Sequence, residues 1–289
     1  LPQFSEPLRP FQVIMPRFCA NLNFLFGDAG FLDRFDRAAR AGFRAVEFPF
    51  PYAYDKHELA DRVRRAGVEV VLFNLTAGDW AKGDRGIGCI PSRVSEFRDG
   101  VGRTIEYAKA LGCTRVNCLS CAGPARLASE TLRETLVSNL RYAAGELERE
   151  GITLLIEPVN TRAIPGNYLR NSAQAIAIMD EVRAPNLKLQ YDVFHMQIME
   201  GDLAKTIEAT LARIGHMQIA DVPDRHEPGT GEINYPFLFD WIDRIGYQGW
   251  IGCEYVPAAR TEDGLGWLKP YLNEAQPPAT PGHGEGGNE

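Results

Sequence analysis

The sequence predicts an α/β protein in which eight parallel strands and their helices close into a single (β/α)8, or TIM, barrel. The first observation is the run ITLLIEPVN at residues 152–160, which is almost wholly apolar before Glu157. A strand that is apolar on both faces is typical of a parallel sheet covered by helices. The second is a repeat, in which a helix-like segment ends at a turn and a short apolar strand follows. Eight such repeats fit a closed barrel.

The predicted strands are short and spread along the whole chain. They cover residues 18–22, 45–48, 69–73, 115–119, 152–156, 187–191, 216–219 and 250–253. A doubly wound open sheet is the alternative. No GxGxxG motif follows an early strand, and this favours the barrel.

Helix ends are marked by residues with suitable cap chemistry. Glycine just past a helix supplies a left-handed cap, which we expect at Gly42, Gly67, Gly112, Gly151, Gly215 and Gly246. The Ala-Pro-Asn turn at 184–186 is expected to end the helix before strand six. At helix starts, Asp55 with Glu58 resembles a capping box, and Ser172 is expected to cap a helix over 173–182.

The composition is that of an ordinary globular protein, with 45% hydrophobic and 24% charged residues among 289. This length allows two domains, but α/β barrels often reach it as one. We therefore place the barrel at residues 16–274. Residues 1–15 are predicted to be a Pro-rich N-terminal extension, with Met15 as a candidate natural start. Residues 275–289, rich in Pro and Gly, are predicted to be a disordered C-terminal tail.

Charge and hydropathy favour a small-molecule partner in the cytoplasm. The net charge of −7 argues against nucleic acid or an anionic membrane. No run of about 18 apolar residues is present, so no transmembrane helix is expected. No basic region precedes an apolar stretch, so no signal peptide is expected.

Six cysteines are scattered along the chain, mostly in strand-like runs. This pattern favours reduced, buried thiols in a cytoplasmic protein. Cys118 and Cys121 form a CxxC motif, but neither a helix N-terminus nor a second Cys/His pair accompanies it. A packing role is therefore predicted rather than a redox or zinc role.

Oxygen-bearing side chains lie at the C-terminal ends of four successive predicted strands. They are Glu157, Asp192, Gln218 and Glu254. Barrels bind their ligands at this end of the strands, and neighbouring strands lie about 4.8 Å apart, so four such ends can converge on one ion. The alternative is that these are solvated residues that cap strands or begin helices. That explains one such acid more easily than four, so the positions predict a metal site.

The motifs IEPVNTR, YDVFHMQ, HMQIAD and GCEY, with FNLTAGDWAKGDRG earlier, resemble the hydroxypyruvate isomerase family, which belongs to the xylose isomerase-like TIM barrels. The resemblance spans roughly residues 16–268. It implies that Glu157, Asp192, Gln218 and Glu254 hold a divalent metal, and that Glu157 and Glu254 form the acid/base pair. Many relatives, notably the ketose epimerases, have His at the third ligand position, where this sequence has Gln218.

The chemistry of aldose–ketose isomerisation suits these residues. A proton must leave a carbon next to a carbonyl and return to the neighbouring carbon, through an enediolate. A divalent ion stabilises that charge as a Lewis acid, and two carboxylates can exchange the protons. Three carboxylates and an amide form an all-oxygen ligand set, which favours Mg²⁺ or Mn²⁺ over Zn²⁺.

Five further residues are candidates for substrate binding. The resemblance implies that His195, three residues after Asp192, contacts substrate as the DxxH histidine of the ketose epimerases does. Arg225 looks like the family's substrate-contacting arginine, and guanidinium binds carboxylate bidentately. Lys82 and Arg85 lie in a long loop after strand three that can close over the site. Glu47, at the end of strand two, is expected either to bind a substrate hydroxyl or to cap the barrel.

The leading functional prediction is an isomerase that interconverts hydroxypyruvate and 2-hydroxy-3-oxopropanoate. An isomerase of a longer 2-oxo sugar acid, of the 2-oxo-tetronate type, is the near alternative, and Gln218 makes a ketose 3-epimerase less favoured. A metal-dependent endonuclease of this superfamily is expected to carry many His ligands and a basic face, unlike this chain with five histidines and a negative charge. A binding protein that had lost the chemistry would be expected to lack metal-binding side chains at some of the four strand ends, whereas all four carry residues that can bind a metal. The family resemblance also implies a homo-oligomer.

Overall fold

In the computed structural model, residues 16–123 and 127–272 are described, and over this part of the chain eight parallel strands form a closed barrel in sequential order. The strands are β1 (Arg17–Asn21), β2 (Ala45–Glu47), β3 (Glu69–Asn74), β4 (Arg115–Cys118), β5 (Thr153–Ile156), β6 (Leu187–Asp192), β7 (Ile214–Ile219) and β8 (Trp250–Cys253). The predicted barrel is confirmed, and every predicted strand end lies within two residues of the observed one. The proposed segments 1–15 and 275–289 lie outside the described residues.

The α-helices follow the strands in the expected alternation. They are α1 (Arg34–Arg40), α2 (Lys56–Ala66), α3 (Val94–Leu111), α4 (Ser129–Glu148), α5 (Ser172–Val182), α6 (Val193–Met199), α7 (Leu203–Thr210), α8 (Tyr235–Arg244), α9 (Thr261–Gly264) and α10 (Lys269–Leu272). Short 3-10 turns lie at Phe31–Asp33, Trp80–Lys82, Pro91–Arg93, Leu211–Arg213 and Leu265–Leu268. Over the part of the chain that the structure describes, none of the helices has the length and apolar character needed to cross a membrane.

Side chains alternate between the two faces of the barrel wall, and each face has its own core. The outward-facing residues pack against the helices in one large apolar cluster that includes Phe18, Val46 and Leu154. A smaller cluster of Cys19, Ala45, Val71, Leu72 and Leu155 lies inside the barrel. Two positions after Cys19, Ala45, Leu72 and Leu155 come the polar residues Asn21, Glu47, Asn74 and Glu157, which face the interior at the C-terminal end of the barrel.

Most predicted caps are confirmed, and three are corrected. Asp55 caps α2 by accepting hydrogen bonds from the backbone amides of His57 and Glu58. Five of the six predicted glycines have the left-handed backbone, whereas Gly215 lies inside β7. A Cβ at Gly215 would meet the side chain of Leu155 at 2.7 Å, so glycine there provides room for this side chain from β5.

The two ends of α5 differ from the prediction by one position each. Asn171, not Ser172, is the N-cap, and its side chain accepts from the amide of Gln174 at 2.8 Å. Ser172 instead donates its hydroxyl to Glu200. At the other end Arg183, not the turn at 184–186, adopts the left-handed conformation, with φ of 59°. Asparagine caps the first turn of a helix as well as serine does. The sequence pattern alone therefore does not decide which of the adjacent residues Asn171 and Ser172 is the N-cap.

The prediction of six reduced thiols is wrong for two cysteines. Cys89 and Cys121 form a disulfide, with their Cα atoms 5.8 Å apart. The pair joins the loops after β3 and β4, which approach each other where the amide of Cys89 donates to the carbonyl of Ser120. The remaining four cysteines of the described chain are free and buried, as predicted, and the CxxC partner Cys118 is one of them.

Candidate active site

A ring of polar side chains lies at the C-terminal end of the barrel. Each strand contributes one polar residue at its last position or within one residue of it, and these are Asn21, Glu47, Asn74, Asn117, Glu157, Asp192, Gln218 and Glu254. All but Asn117 and Asp192 line one small cavity, together with Gln190 from one layer below. The parallel topology therefore brings residues that are far apart in the sequence to one end of the barrel.

The centre of this ring is a cluster of carboxylates. Glu157, Asp192, Glu254 and His195 each offer one ligand atom, and these atoms lie within 4.8 Å of one another. Oδ1 of Asp192 caps α6 by accepting from the amide of Phe194 at 2.8 Å. Its other oxygen, Oδ2, is buried and has no hydrogen-bond partner among the described residues.

Amides and a guanidinium hold the two glutamates in place. Nδ2 of Asn117 donates to Oε2 of Glu157 at 2.9 Å, and Nδ2 of Asn21 donates to Oε1 of Glu254 at 3.1 Å. Nη2 of Arg225 donates to Oε2 of Glu254 at 2.5 Å. Each glutamate therefore has a fixed orientation before any ligand binds.

Burial and like charges disfavour the ionised form of the carboxyl groups in this cluster. Burial raises the pKa of Glu157 well above its usual range, and the neighbouring carboxylates of Glu254 and Asp192 raise it further. Burial also raises the pKa of Glu254, although Arg225 opposes that shift. Buried acids at such distances cannot all ionise without a compensating cation.

The donor set fits a divalent cation. The unpartnered Oδ2 of Asp192 faces other carboxylate oxygens and a histidine within 4.8 Å. Buried polar atoms in proteins are otherwise almost always paired. Carboxylate oxygens suit hard ions such as Mg²⁺ and Mn²⁺. Arg225 is a nearby countercharge, and its Nη2 lies 4.0 Å from Oδ2 of Asp192.

His195 is held as a neutral hydrogen-bond donor. Oδ1 of Asn160 accepts from the amides of Arg162 and Ala163, so its Nδ2 must point to Nδ1 of His195, 2.7 Å away. Nδ1 then accepts, which leaves the proton on Nε2. Nε2 lies 3.4 Å from Asp192 and 3.8 Å from Glu157. Burial lowers the pKa of His195 to about 4, consistent with a neutral ring.

Arg225 lies at the mouth of the site between two aromatic rings. Its guanidinium carbon is 4.9 Å from the ring centre of Phe24 and 5.0 Å from that of Phe194. Both rings are within cation–π distance of the guanidinium. Its side chain is 21% exposed, so one edge remains open to a ligand.

The loop that carries Arg225 is organised by Asp221. The carboxylate of Asp221 is buried and accepts four backbone N–H groups, those of Val222, Gly229, Gly231 and Ile233, at 2.9–3.1 Å. The carbonyl of Asp221 also accepts from the amide of Arg225, which has a left-handed φ of 60°. Asp221 therefore fixes the backbone conformation from which Arg225 reaches Glu254.

Lys82 and Arg85 lie in the loop after β3, as predicted, and in this structure they pair within that loop. The ammonium of Lys82 lies 2.8 Å from Asp79, and its side chain is 84% exposed. Arg85 donates to the carbonyls of Trp80 and Asp84 and stacks on the Trp80 ring at 4.2 Å. Their role in closing over the substrate stays a prediction.

The sequence reasoning missed several residues that support the site. It considered the oxygen-bearing residues at the ends of strands five to eight and Glu47, but it did not consider the amides Asn21 and Asn117 at the ends of β1 and β4. The rule applied to the later strands would have found both, because they hold the same position in the repeat. Asn160 and Asp221 lie in loops, and only their folded hydrogen bonds show what they do.

Comparisons with known proteins agree with this fold. A family model described as the xylose isomerase-like TIM barrel matches residues 35–271. The hydroxypyruvate isomerase of Escherichia coli is 54% identical over 89% of this chain and 100% of its own length. A 2-oxo-tetronate isomerase of Cupriavidus necator is 50% identical over 89% of this chain and 99% of its own. A solved structure described as an AP endonuclease, family 2, from Brucella melitensis is 46% identical with a TM-score of 0.87, over 89% and 99% of the two chains.

The closed barrel and its match to the family model show that the chain belongs to the xylose isomerase-like TIM barrel family. Its strong similarity to hydroxypyruvate isomerase and 2-oxo-tetronate isomerase, over nearly the full length of each, shows that it is an isomerase of this kind.

Proposed function

We propose that the chain is a divalent-metal-dependent isomerase that interconverts hydroxypyruvate and 2-hydroxy-3-oxopropanoate. The observation that carries this proposal is the carboxylate cluster, in which Asp192 presents a buried, unpartnered oxygen beside Glu157 and Glu254. Asp192, Glu157, Glu254 and Gln218 would hold Mg²⁺ or Mn²⁺. When bound, such an ion supplies Lewis-acid stabilisation of the negative charge that develops on the substrate oxygens.

The two glutamates suit the proton transfers. A proton leaves C3 of hydroxypyruvate to a carboxylate, which gives an enediolate, and a proton is then delivered to C2 while C3 becomes the aldehyde. Both steps are balanced within the substrate, so no redox cofactor is needed. Asn117 fixes Glu157, and Asn21 with Arg225 fixes Glu254, which keeps both bases in one orientation.

Arg225 and His195 provide polar contacts for the substrate. The guanidinium of Arg225 offers a cation for the substrate carboxylate at the mouth of the site. Nε2–H of His195, held by Asn160, points among the carboxylates and can donate to a substrate oxygen. The neutral ring adds no positive charge that would repel the ion.

A 2-oxo-tetronate is the second candidate substrate. A relative of this name is 50% identical over nearly the whole barrel. The same residues perform the same chemistry on that longer acid, with the proton moving from C3 to C2. The ratio of kcat/KM for hydroxypyruvate to that for 2-oxo-tetronate decides between the two substrates. We expect it to favour hydroxypyruvate.

An endonuclease is not favoured, although one similar structure bears that description. The candidate metal cluster contains one histidine, His195, among carboxylates. The net charge of −7 opposes binding to a phosphate backbone. A homo-oligomeric state and a cytoplasmic location stay predictions.

The acid/base assignment is tested by Glu254→Gln. The amide cannot accept the carbon-bound proton, so we expect turnover to fall by about 10²- to 10⁴-fold while the fold is retained. Glu208→Gln is the matched control, because this exposed residue of α7 pairs with Lys205 away from the site. Turnover of Glu254→Gln at the level of that control would rule out the two-glutamate mechanism.

A further inference from the structure

Glu47 is buried in the ring and has both of its oxygens engaged. It is 1% exposed. Oε1 accepts from Nδ2 of Asn21 at 2.9 Å and from Nε2 of Gln218 at 2.7 Å. Oε2 lies 2.6 Å from Nε2 of His216 and accepts from the thiol of Cys19 at 3.5 Å. A carboxylate offers about four acceptor positions, so these contacts leave none for a substrate hydroxyl.

The contact with Gln218 decides which end of that amide faces the carboxylates. A glutamine side chain has nearly the same shape in its two flipped orientations, and its hydrogen-bond partners determine which is adopted. An ionised carboxylate only accepts, so Nε2 of Gln218 must face Glu47. Oε1 of Gln218 is then turned away from Glu47, and Nε2 of Gln190 donates to it at 2.6 Å. One lone pair of that oxygen remains free.

The surroundings of Glu47 hold its carboxylate in place. His216 is fully buried and approaches Oε2 directly. On β8, a Cβ added at Gly252 would overlap the Glu47 carboxylate, so glycine there provides the room it occupies. Residues of β1, β7 and β8 thus surround the Glu47 carboxylate, and Gln218 is one of the donors that contact it.

We propose that Glu47 is a positioning residue that holds the Gln218 amide with its oxygen available to the cation. This rests on the proposed function, since it presupposes that an ion binds beside Glu157 and Asp192. In the flipped orientation, Gln218 would present N–H groups to the ion instead of its oxygen. A barrel that uses Gln218 at this position therefore needs a fixed acceptor behind it, and Glu47 is that acceptor.

The test is a double-mutant cycle on Mn²⁺ affinity, measured by titration calorimetry on metal-stripped full-length protein. Glu47→Gln keeps the shape and removes the charge, and Glu47→Asp keeps the charge but withdraws the carboxylate by one methylene. Each is made with Gln218 present and in a Gln218→Ala background. Loss of the Glu47 charge can weaken Mn²⁺ binding in both backgrounds. Loss of the orientation of the Gln218 amide can weaken it only where Gln218 is present.

We expect Glu47→Gln and Glu47→Asp to weaken Mn²⁺ binding about 10- to 100-fold with Gln218 present, as loss of a partner that orients a ligand does. In the Gln218→Ala background, Glu47→Asp should change the affinity by no more than about twofold. Equal losses in the two backgrounds would overturn the orienting role. No binding of Mn²⁺ to the wild type would overturn both this inference and the metal site, whereas wild-type binding with unaffected Glu47 variants would overturn this inference alone.

Each variant's unfolding midpoint is measured first, so that a fold defect is not read as an affinity effect. If Glu47→Gln does not fold, Glu47→Asp carries the test with Gly252→Ala, which displaces the Glu47 carboxylate without altering its chemistry. Weakened binding in Gly252→Ala only when Gln218 is present would support the proposal. Wild-type affinity in a folded Gly252→Ala variant would contradict it.

Discussion

Replacing Asp221 by asparagine should destabilise the loop that carries Arg225. The carboxylate accepts four backbone N–H groups, two on each oxygen. Asparagine keeps one oxygen, so two N–H groups would face an NH2 group instead of an acceptor. Each unpaired N–H costs about 1–3 kcal/mol. The N–H groups of Gly229 and Gly231 lie near solvent, which favours the lower end, so we expect a loss of about 2–4 kcal/mol.

The assay is chemical and thermal unfolding of Asp221→Asn beside Asp224→Asn. Asp224 is exposed in the same loop, and its replacement should change stability by no more than about 0.5 kcal/mol. A loss of 2–4 kcal/mol should lower the unfolding midpoint of Asp221→Asn by at least about 4 °C. Because the loop positions Arg225, KM for the carboxylated substrate should rise more than kcat falls. An Asp221→Asn variant that unfolds at the midpoint of Asp224→Asn would refute this reasoning.

Four further predictions concern the ligand environment and the cysteines. Asn160→Leu should free the His195 ring and lower kcat/KM by about tenfold or more; unchanged imidazole nitrogen shifts in NMR would show that Asn160 does not set the tautomer. The raised pKa of Glu157 means that protons must leave before an ion binds, so Mn²⁺ affinity should rise from pH 6 to pH 8, by about tenfold per pH unit for each proton displaced. Over the same range the ion-free protein should lose stability, because a carboxyl with a raised pKa binds more protons folded than unfolded; calorimetry and unfolding at several pH values would show a flat response if this were wrong. Finally, titration of thiols in denaturant without reductant should show four free thiols, rising to six after reduction, and six at the outset would exclude the Cys89–Cys121 disulfide.

The barrel could be predicted because its signals are local and repeated. Apolar runs such as that before Glu157, and glycines such as Gly67 and Gly151, mark each repeat independently. The topology then fixes where strand ends converge, so the carboxylates of the site followed from position. Gly215 misled the prediction because a glycine needed for packing between strands is identical in sequence to one that ends a helix.

What could not be predicted depends on contacts between distant segments. The disulfide joins Cys89 to Cys121 across two loops, and sequence spacing offered Cys118 as a more obvious partner. Glu47 was expected to meet substrate or to cap the barrel, and its pairing with His216 across 169 positions follows only from closure of the barrel. Nothing local marks these partners, so only the folded chain identifies them.

The central claim is an ion-dependent proton transfer on hydroxypyruvate, and exchange with D₂O tests it most directly. Metal-stripped protein is given hydroxypyruvate in D₂O with and without Mg²⁺, and the C3 hydrogens and the product are followed by NMR. The account predicts that deuterium enters C3 and that 2-hydroxy-3-oxopropanoate forms only when Mg²⁺ is present. Equal exchange and product formation with and without the ion would contradict the role of the ion. No exchange under either condition would contradict hydroxypyruvate as the substrate.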